Sequence, residues 1–138
     1  MDLKVKWDGG VSFLATSETG HNVMMDGPES LGGKNKGMRP MELLLSGVGG
    51  CTSFDVVTIL KKSRQDVLDC EAIITAKRAE DIPKVFTDIH IHFKVSGKNL
   101  SQKTVGRAIE LSATKYCSAS IMLGQSVNIT HDFEIIEG

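Results

Sequence analysis

Three thiols are the groups in this sequence best equipped for chemistry: Cys51, Cys70 and Cys117. A thiolate is a nucleophile and a metal ligand, whereas a buried thiol without electrostatic help keeps a high pKa and is inert. The three are too few and too widely spaced for a secreted disulfide framework, and no C-x-x-C pair points to zinc. In a reducing compartment each is either a small core residue or a reactive group. Cys51 closes the run Ser46-Gly47-Val48-Gly49-Gly50-Cys51, inside a strongly apolar helical pattern. Each mid-helix glycine costs about 1 kcal/mol relative to alanine. At about 100° per residue, Gly47 and Cys51 share one side of the helix, with Gly50 beside them. Small residues on one face let another backbone approach, so the run reads as a contact seam that leaves the Cys51 thiol at a crossing point. Cys117 lies in Tyr116-Cys117-Ser118, at a junction between two helical patterns, where a thiol can meet helical N–H donors. Cys70 opens a strand in alternation with Ala72 and Ile74 and reads as filler.

Arg39 is the first arginine in the chain, the next being Arg64. It directly precedes Pro40 and is the obvious cation to stabilise a thiolate near the first helix. Glu42 falls in the first turn, where the helix dipole favours negative charge. Within one continuous helix, nine residues separate Glu42 from Cys51 by about 13 Å along the axis. A direct contact of Arg39 or Glu42 with Cys51 would need a break in the helix or a second subunit. His90 and His92 lie two apart on a polar strand face, without a third residue spaced to complete a metal site. His131 falls on an apolar face, as a core histidine would, and His21 begins a strand. No G-x-G-x-x-G after a strand, Walker loop, H-E-x-x-H or G-x-S-x-G is present.

The elements that must position these groups follow from periodicity. Residues 3–7, 11–16 and 21–26 read as three strands separated by glycine turns. Residues 27–38 carry four glycines and a proline and read as a mobile loop. Pro40 opens a helix that runs to about Ser63. Its apolar residues fall almost all the way round, which predicts burial on all sides. A chain of 138 residues has difficulty wrapping such a helix alone, and a partner chain would solve this. Residues 70–78 and 85–95 are strands, the second with a period of two that puts Ile89, Ile91, Phe93 and Val95 on one face. Residues 101–117 form an amphipathic helix with Ser101 as N-cap. Its stripe is Val105, Ala108, Ile109, Ser112, Ala113 and Tyr116. A short helix ending at Gly124 and a strand over 126–136 complete the order βββ–α–ββ–αα–β. Strands clustered apart from helices predict an α+β fold with mostly antiparallel pairing.

The length suits one domain over residues 1–138, with no repeat or linker to divide it. A net charge of −1 removes the electrostatic case for nucleic acid or an anionic membrane. Sparse aromatics argue against base stacking. The N-terminus has no apolar run of signal-peptide type, and the uncharged stretch Leu43 to Phe54 is too short to span a bilayer. A cytoplasmic location follows as the expectation.

The combination R-P-M-E-L-L-L-S-G-V-G-G-C, followed 66 positions after Cys51 by the Cys117 motif K-Y-C-S-A-S-I-M-L, resembles the OsmC/Ohr family of osmotically inducible and organic hydroperoxide resistance proteins. The resemblance covers essentially the whole chain and is nearest to an OsmC-like subgroup. It implies an intertwined homodimer, with antiparallel sheets wrapped around two long central helices; no cofactor or metal is expected from the residues. It implies that Cys51 is peroxidatic, Cys117 resolving, and that the substrate is an organic hydroperoxide, with a thiol or dithiol as reductant. The family pattern has an acid directly after the helix-opening proline, in contact with a catalytic arginine from an early strand or loop. Here Met41 holds that position, the acid is Glu42, and no arginine precedes Arg39. An activating pair would be rebuilt from Arg39 and Glu42. Met24, Met25, Met38 and Met41 suit either an apolar pocket for a bulky hydroperoxide or ordinary core. The alternative within the same fold is a catalytically weak dimer that binds a small ligand or senses redox state.

Overall fold

A computed structural model describes residues 1–138. The chain is α+β and falls into two compact units, Met1–Ser46 and Gly47–Gly138. The first holds three short strands, β1 (Leu3–Trp7), β2 (Phe13–Ser17) and β3 (Asn22–Met25), paired antiparallel in that order. Gly9 and Gly10 both have positive φ, as the tight β1–β2 turn requires. The indole N–H of Trp7 donates to the Gly10 carbonyl at 2.9 Å and closes this turn. Leu3, Val5 and Trp7 lie on one face of β1 and all three are exposed.

Residues 27–38, expected to be a mobile loop, are tied down. Asp26 is only 2% exposed. Its carboxylate accepts N–H bonds from Gly27 at 2.7 Å and from Lys34 and Lys36 at 3.1 Å. The loop has a single 3-10 turn at Glu29–Leu31, and Met38 returns to bridge Met25. Gly37 lies so close to the Met24 carbonyl that a side chain there has no room. Gly33 and Gly37, two of the glycines that suggested mobility, serve close backbone approach instead, and Gly32 supplies a positive φ.

Helix α1 (Pro40–Lys62) runs without a break through the boundary between the units. By length and composition alone it could cross a bilayer, a property hidden from the reading of the uncharged stretch Leu43–Phe54. It is not buried on all sides. Val48, Gly49, Thr52, Val56 and Leu60 form the buried stripe, whereas Phe54 is 72% exposed and Leu44 49%.

The second unit contains a sheet of β4 (Asp66–Arg78), β5 (Phe86–Lys98) and β6 (Asn128–Glu137), with β5 central. β4 pairs antiparallel with β5, but β5 and β6 are parallel. The helical segment between them is the crossover that a parallel pair requires. β4 starts four residues before the expected Cys70. Val67 and Asp69 face successive β5 residues, so Leu68 bulges out and the in–out alternation resumes in a new phase. That bulge masked the strand's first residues.

Ile89, Ile91, Phe93 and Val95 are buried on one face of β5, as the period-two pattern predicts. Two helices cover them. α1 approaches through Gly49, where an added Cβ would lie 2.6 Å from Cδ1 of Ile74 on β4. α2 (Gln102–Leu111) approaches through Gly106, set against Phe133 of β6. Ser101 caps α2 by accepting from the Thr104 N–H at 3.1 Å. The helix then widens into a π turn at Ser112–Tyr116 before α3 (Ser118–Leu123). The π turn shifts the helical phase by about one residue. Tyr116, placed by simple periodicity on the apolar stripe, is therefore turned outward and 51% exposed.

Two outcomes follow for stability. Leu60 is fully buried. Leu60→Ala is expected to cost about 2–5 kcal/mol, read from the urea midpoint. Burial opposes the charge on Asp26, but the bonds from Gly27, Lys36, Ser12 and Lys34 outweigh it and hold the carboxyl at about 2, against an ordinary 3.8. A folded-state pKa below the unfolded one stabilises fully above the unfolded value and is lost as pH falls through the folded one. Asp26→Asn should thus be less stable than wild type at pH 5. The two urea midpoints should converge as the pH is lowered to about 2.

Candidate functional site

α1 carries Cys51 half-buried, between the open position Gly50 and the buried Thr52. Gly47 and Gly50 have free space where a side chain would be, so two of the three seam glycines face nothing in the subunit, and only Gly49 has a neighbour of its own. Cys117 arrives from the other side through the π turn. Its N–H donates to the Ser112 carbonyl five residues back at 2.8 Å, the bond that closes the π ring. Its backbone is then extended (φ −77°, ψ 100°), which ends one helix and starts the next. Sγ turns back over α3 and accepts from the Ser120 N–H at 3.4 Å.

The structure brings Cys51 and Cys117 together, although they are far apart in sequence. Cys117 is fully buried. Burial pushes its thiol pKa up, contacts with Ser120 pull it down, and the neighbouring Cys51 thiol raises it again. Both cysteines are free thiols. Two adjacent thiols, one half-buried and one buried, can together give two electrons to an oxidant and form a disulfide, and a sulfur oxidised at Cys51 has a second sulfur beside it.

A polar knot lies next to the pair. Ser112 is fully buried. Its hydroxyl is 2.8 Å from Oγ1 of Thr52 and donates to Oδ2 of Asp55 at 2.9 Å. Thr52, Asp55, Ser112 and Ser120 were not among the residues singled out from sequence. The signal for Ser112 was its place in an otherwise apolar stripe, and Thr52 adjoins Cys51 in the chain.

Arg39 and Glu42 belong to the first unit and meet there. The Arg39 backbone N–H donates to Oε1 of Glu42 at 2.8 Å, a cap on the first turn of α1. The Arg39 guanidinium donates through Nη1 to Oδ1 of Asn35 at 2.7 Å and to the Gly37 carbonyl at 3.2 Å. Both residues border an open cavity of about 430 Å³ that Lys36 and Met38 also line. Ser46 donates to the Met38 sulfur at 3.6 Å. Cys70 is half-buried on β4, and burial and the Asp69 charge raise its thiol pKa, with Ser53 of α1 acting in the other direction.

His90 and His92 lie on the outer sheet face. Both contact Oδ1 of Asp132, at 2.9 and 2.7 Å. That carboxylate raises the His92 pKa. No three His, Cys, Asp or Glu side chains are arranged to hold a metal ion. His131 is not a core histidine: it is part-exposed beside Glu110, at 3.9 Å, because the β6 face it shares is only half covered. His21 is exposed.

Burial and the Cys51 contact predict an order of reactivity. Pulsed iodoacetamide labelling of the reduced protein, read by peptide mapping, should modify Cys51 before Cys117. The gap should vanish in denaturant, where all three thiols are equivalent.

The sequence model of the family described as OsmC-like protein matches residues 33–132, a span that contains Arg39, Glu42, Cys51 and Cys117. The chain is 47% identical over 136 residues to Protein YhfA of Escherichia coli (strain K12), across 99% of this chain and 98% of that one. It aligns with the crystal structure of a hypothetical protein from Aquifex aeolicus VF5 at TM-score 0.87 and 31% identity, across 99% of this chain and 96% of that one. The Organic Hydroperoxide Resistance Protein OhrB of Bacillus subtilis has the same fold, at TM-score 0.65 and 18% identity, across 97% and 98% of the two chains. The chain therefore belongs to the OsmC-like protein family.

Proposed function

We propose that this protein is a thiol-dependent peroxidase that reduces organic hydroperoxides, with Cys51 as the attacking thiol and Cys117 as its partner. The observation that carries the reading is that the Cys51 thiol lies near enough to the buried Cys117 thiol to raise its pKa. Family membership supports redox chemistry at this pair, and OhrB is itself named for organic hydroperoxide resistance. In the proposed reaction the Cys51 thiolate attacks the O–O bond. Sulfur loses two electrons and becomes a sulfenic acid, and the hydroperoxide takes a proton and leaves as the alcohol. Cys117 then attacks the sulfenic sulfur, water leaves, and a Cys51–Cys117 disulfide forms. A thiol or dithiol reductant restores both thiols by exchange. No cofactor takes part.

Arg39 and Glu42 are assigned, within the same proposal, as the pair that favours the Cys51 thiolate in the assembled protein. Support comes from their mutual bond and from the Asn35 and Gly37 contacts that hold the guanidinium. The assembled protein is proposed to be a homodimer in the cytoplasm. The exposed face of Leu3, Val5 and Trp7, the exposed Phe54 and Leu44, and the open positions Gly47 and Gly50 support a second copy. One observation favours the alternative, a catalytically weak dimer that binds a small ligand or senses redox state: burial raises the Cys117 thiol pKa, which slows a thiolate's attack.

The test is one equivalent of cumene hydroperoxide added to the reduced protein, followed by thiol blocking and peptide mapping without reduction. A rapid, stoichiometric Cys51–Cys117 disulfide is expected, absent in Cys51→Ser. In Cys117→Ser, a sulfenic acid at Cys51 should instead persist long enough to be trapped by dimedone. Three thiols that stay free for many minutes would exclude the peroxidase.

A further inference from the structure

The knot of Thr52, Ser112 and Asp55 lies outside the pair of thiols but is linked to both. Thr52 follows Cys51 on α1, so whatever holds its hydroxyl holds the peptide unit next to Cys51. Ser112 supplies the carbonyl that accepts the Cys117 N–H at 2.8 Å, so whatever holds Ser112 holds the ring that presents Cys117. The Ser112 hydroxyl has one proton, and the Asp55 carboxylate takes it at 2.9 Å. Thr52 must then donate to Ser112 across the 2.8 Å contact. The bonds run in one direction, Thr52 to Ser112 to Asp55, and every buried side-chain polar atom is satisfied.

A buried hydrogen bond contributes little net stability, and apolar groups of the same shape often serve as well. What a polar link adds is direction: it holds α1 and the π turn at one rotation and one distance. A π turn gains from such a brace, because the conformation is rare and recurs at functional sites. A disulfide is in turn demanding, needing Cα atoms within about 7 Å and a Cβ–S–S–Cβ dihedral near ±90°. Small rotations of the π turn therefore change the ease with which the two sulfurs join.

We propose that the Thr52–Ser112–Asp55 chain is the positioning device that sets how readily Cys51 and Cys117 form a disulfide. This deepens the assignment of that pair as redox-active, but its test does not depend on a hydroperoxide. The pair is equilibrated with glutathione: oxidised glutathione takes two electrons and two protons from the thiols, giving the disulfide and two reduced glutathiones. Thr52→Val keeps the shape and removes the hydroxyl. It is expected to lower the equilibrium constant for the Cys51–Cys117 disulfide about tenfold, an upward shift of about 30 mV in reduction potential. Ser112→Ala, which removes the link from the other side, should shift it in the same direction. Thr52→Ser loses a buried methyl but keeps the hydroxyl. It should be destabilised towards urea yet retain the wild-type equilibrium, a separation that a purely structural role would not produce.

An unchanged equilibrium in Thr52→Val and Ser112→Ala would overturn the proposal, as would a shift in Thr52→Ser as large as that in Thr52→Val. A wild-type protein that forms no Cys51–Cys117 disulfide in oxidised glutathione would overturn it too. A wild-type protein that forms the disulfide with glutathione but not with cumene hydroperoxide would remove the peroxidase and leave this inference to the variants.

Discussion

Four side chains on one face of β5, Ile89, Ile91, Phe93 and Val95, must be kept from water, and much of the second unit follows from how that is done. Each is worth about 1.5–3 kcal/mol when buried. A three-stranded sheet needs a cover for that face, and here it is two helices from different parts of the chain. α1 comes down beside β4 because Gly49 has no side chain to hold it off Ile74. α2 lies over β6 with Gly106 facing Phe133 at a distance that would also admit a methyl group. With both helices on one sheet face, their facing sides meet, and that is where Cys51, Thr52, Ser112 and Cys117 are brought together.

The local break in α2 is as important as the packing. A regular helix continued through 112–117 would carry the thiol past this meeting point on a fixed spiral. The π turn adds a residue to the last ring, so that Cys117 closes it with an N–H bond to Ser112 and leaves in extended conformation. The thiol is then directed by its own backbone, with Ser120 contributing an N–H to the sulfur. The same arrangement excludes water from Cys117, which works against ionisation. The site balances a demand for proximity, which burial serves, against a demand for charge, which burial opposes.

The first unit obeys another constraint. Its three strands are short and thin, and the carboxylate of Asp26 does the work that a core would do elsewhere. By accepting the amides of Gly27, Lys34 and Lys36 it folds a glycine-rich segment into a defined loop. That loop ends at Arg39, whose guanidinium it holds through Asn35 and Gly37. The loop's order, and with it the placing of its cation, rests on a charged group kept ionised by main-chain donors.

Periodicity alone determined the number, kind and order of the main elements, the buried face of β5, the Ser101 cap and the opening of α1 at Pro40. These are properties of local spacing, and spacing is what a sequence records directly. The cysteine motifs were legible for a similar reason, as residue types in a fixed short context. Tertiary structure decided the rest, because each such feature depends on what lies opposite. The parallel β5–β6 pair depends on where the crossover returns, the β4 bulge at Leu68 on the strand beside it, and the outward turn of Tyr116 on one extra residue in a helical ring. Asp26 read as an ordinary strand end until its loop closed on it, and Ser112 read as one more position in an apolar stripe. What made both residues important was partners 8 to 60 positions away, a separation that no local pattern encodes and only folding brings within hydrogen-bond reach.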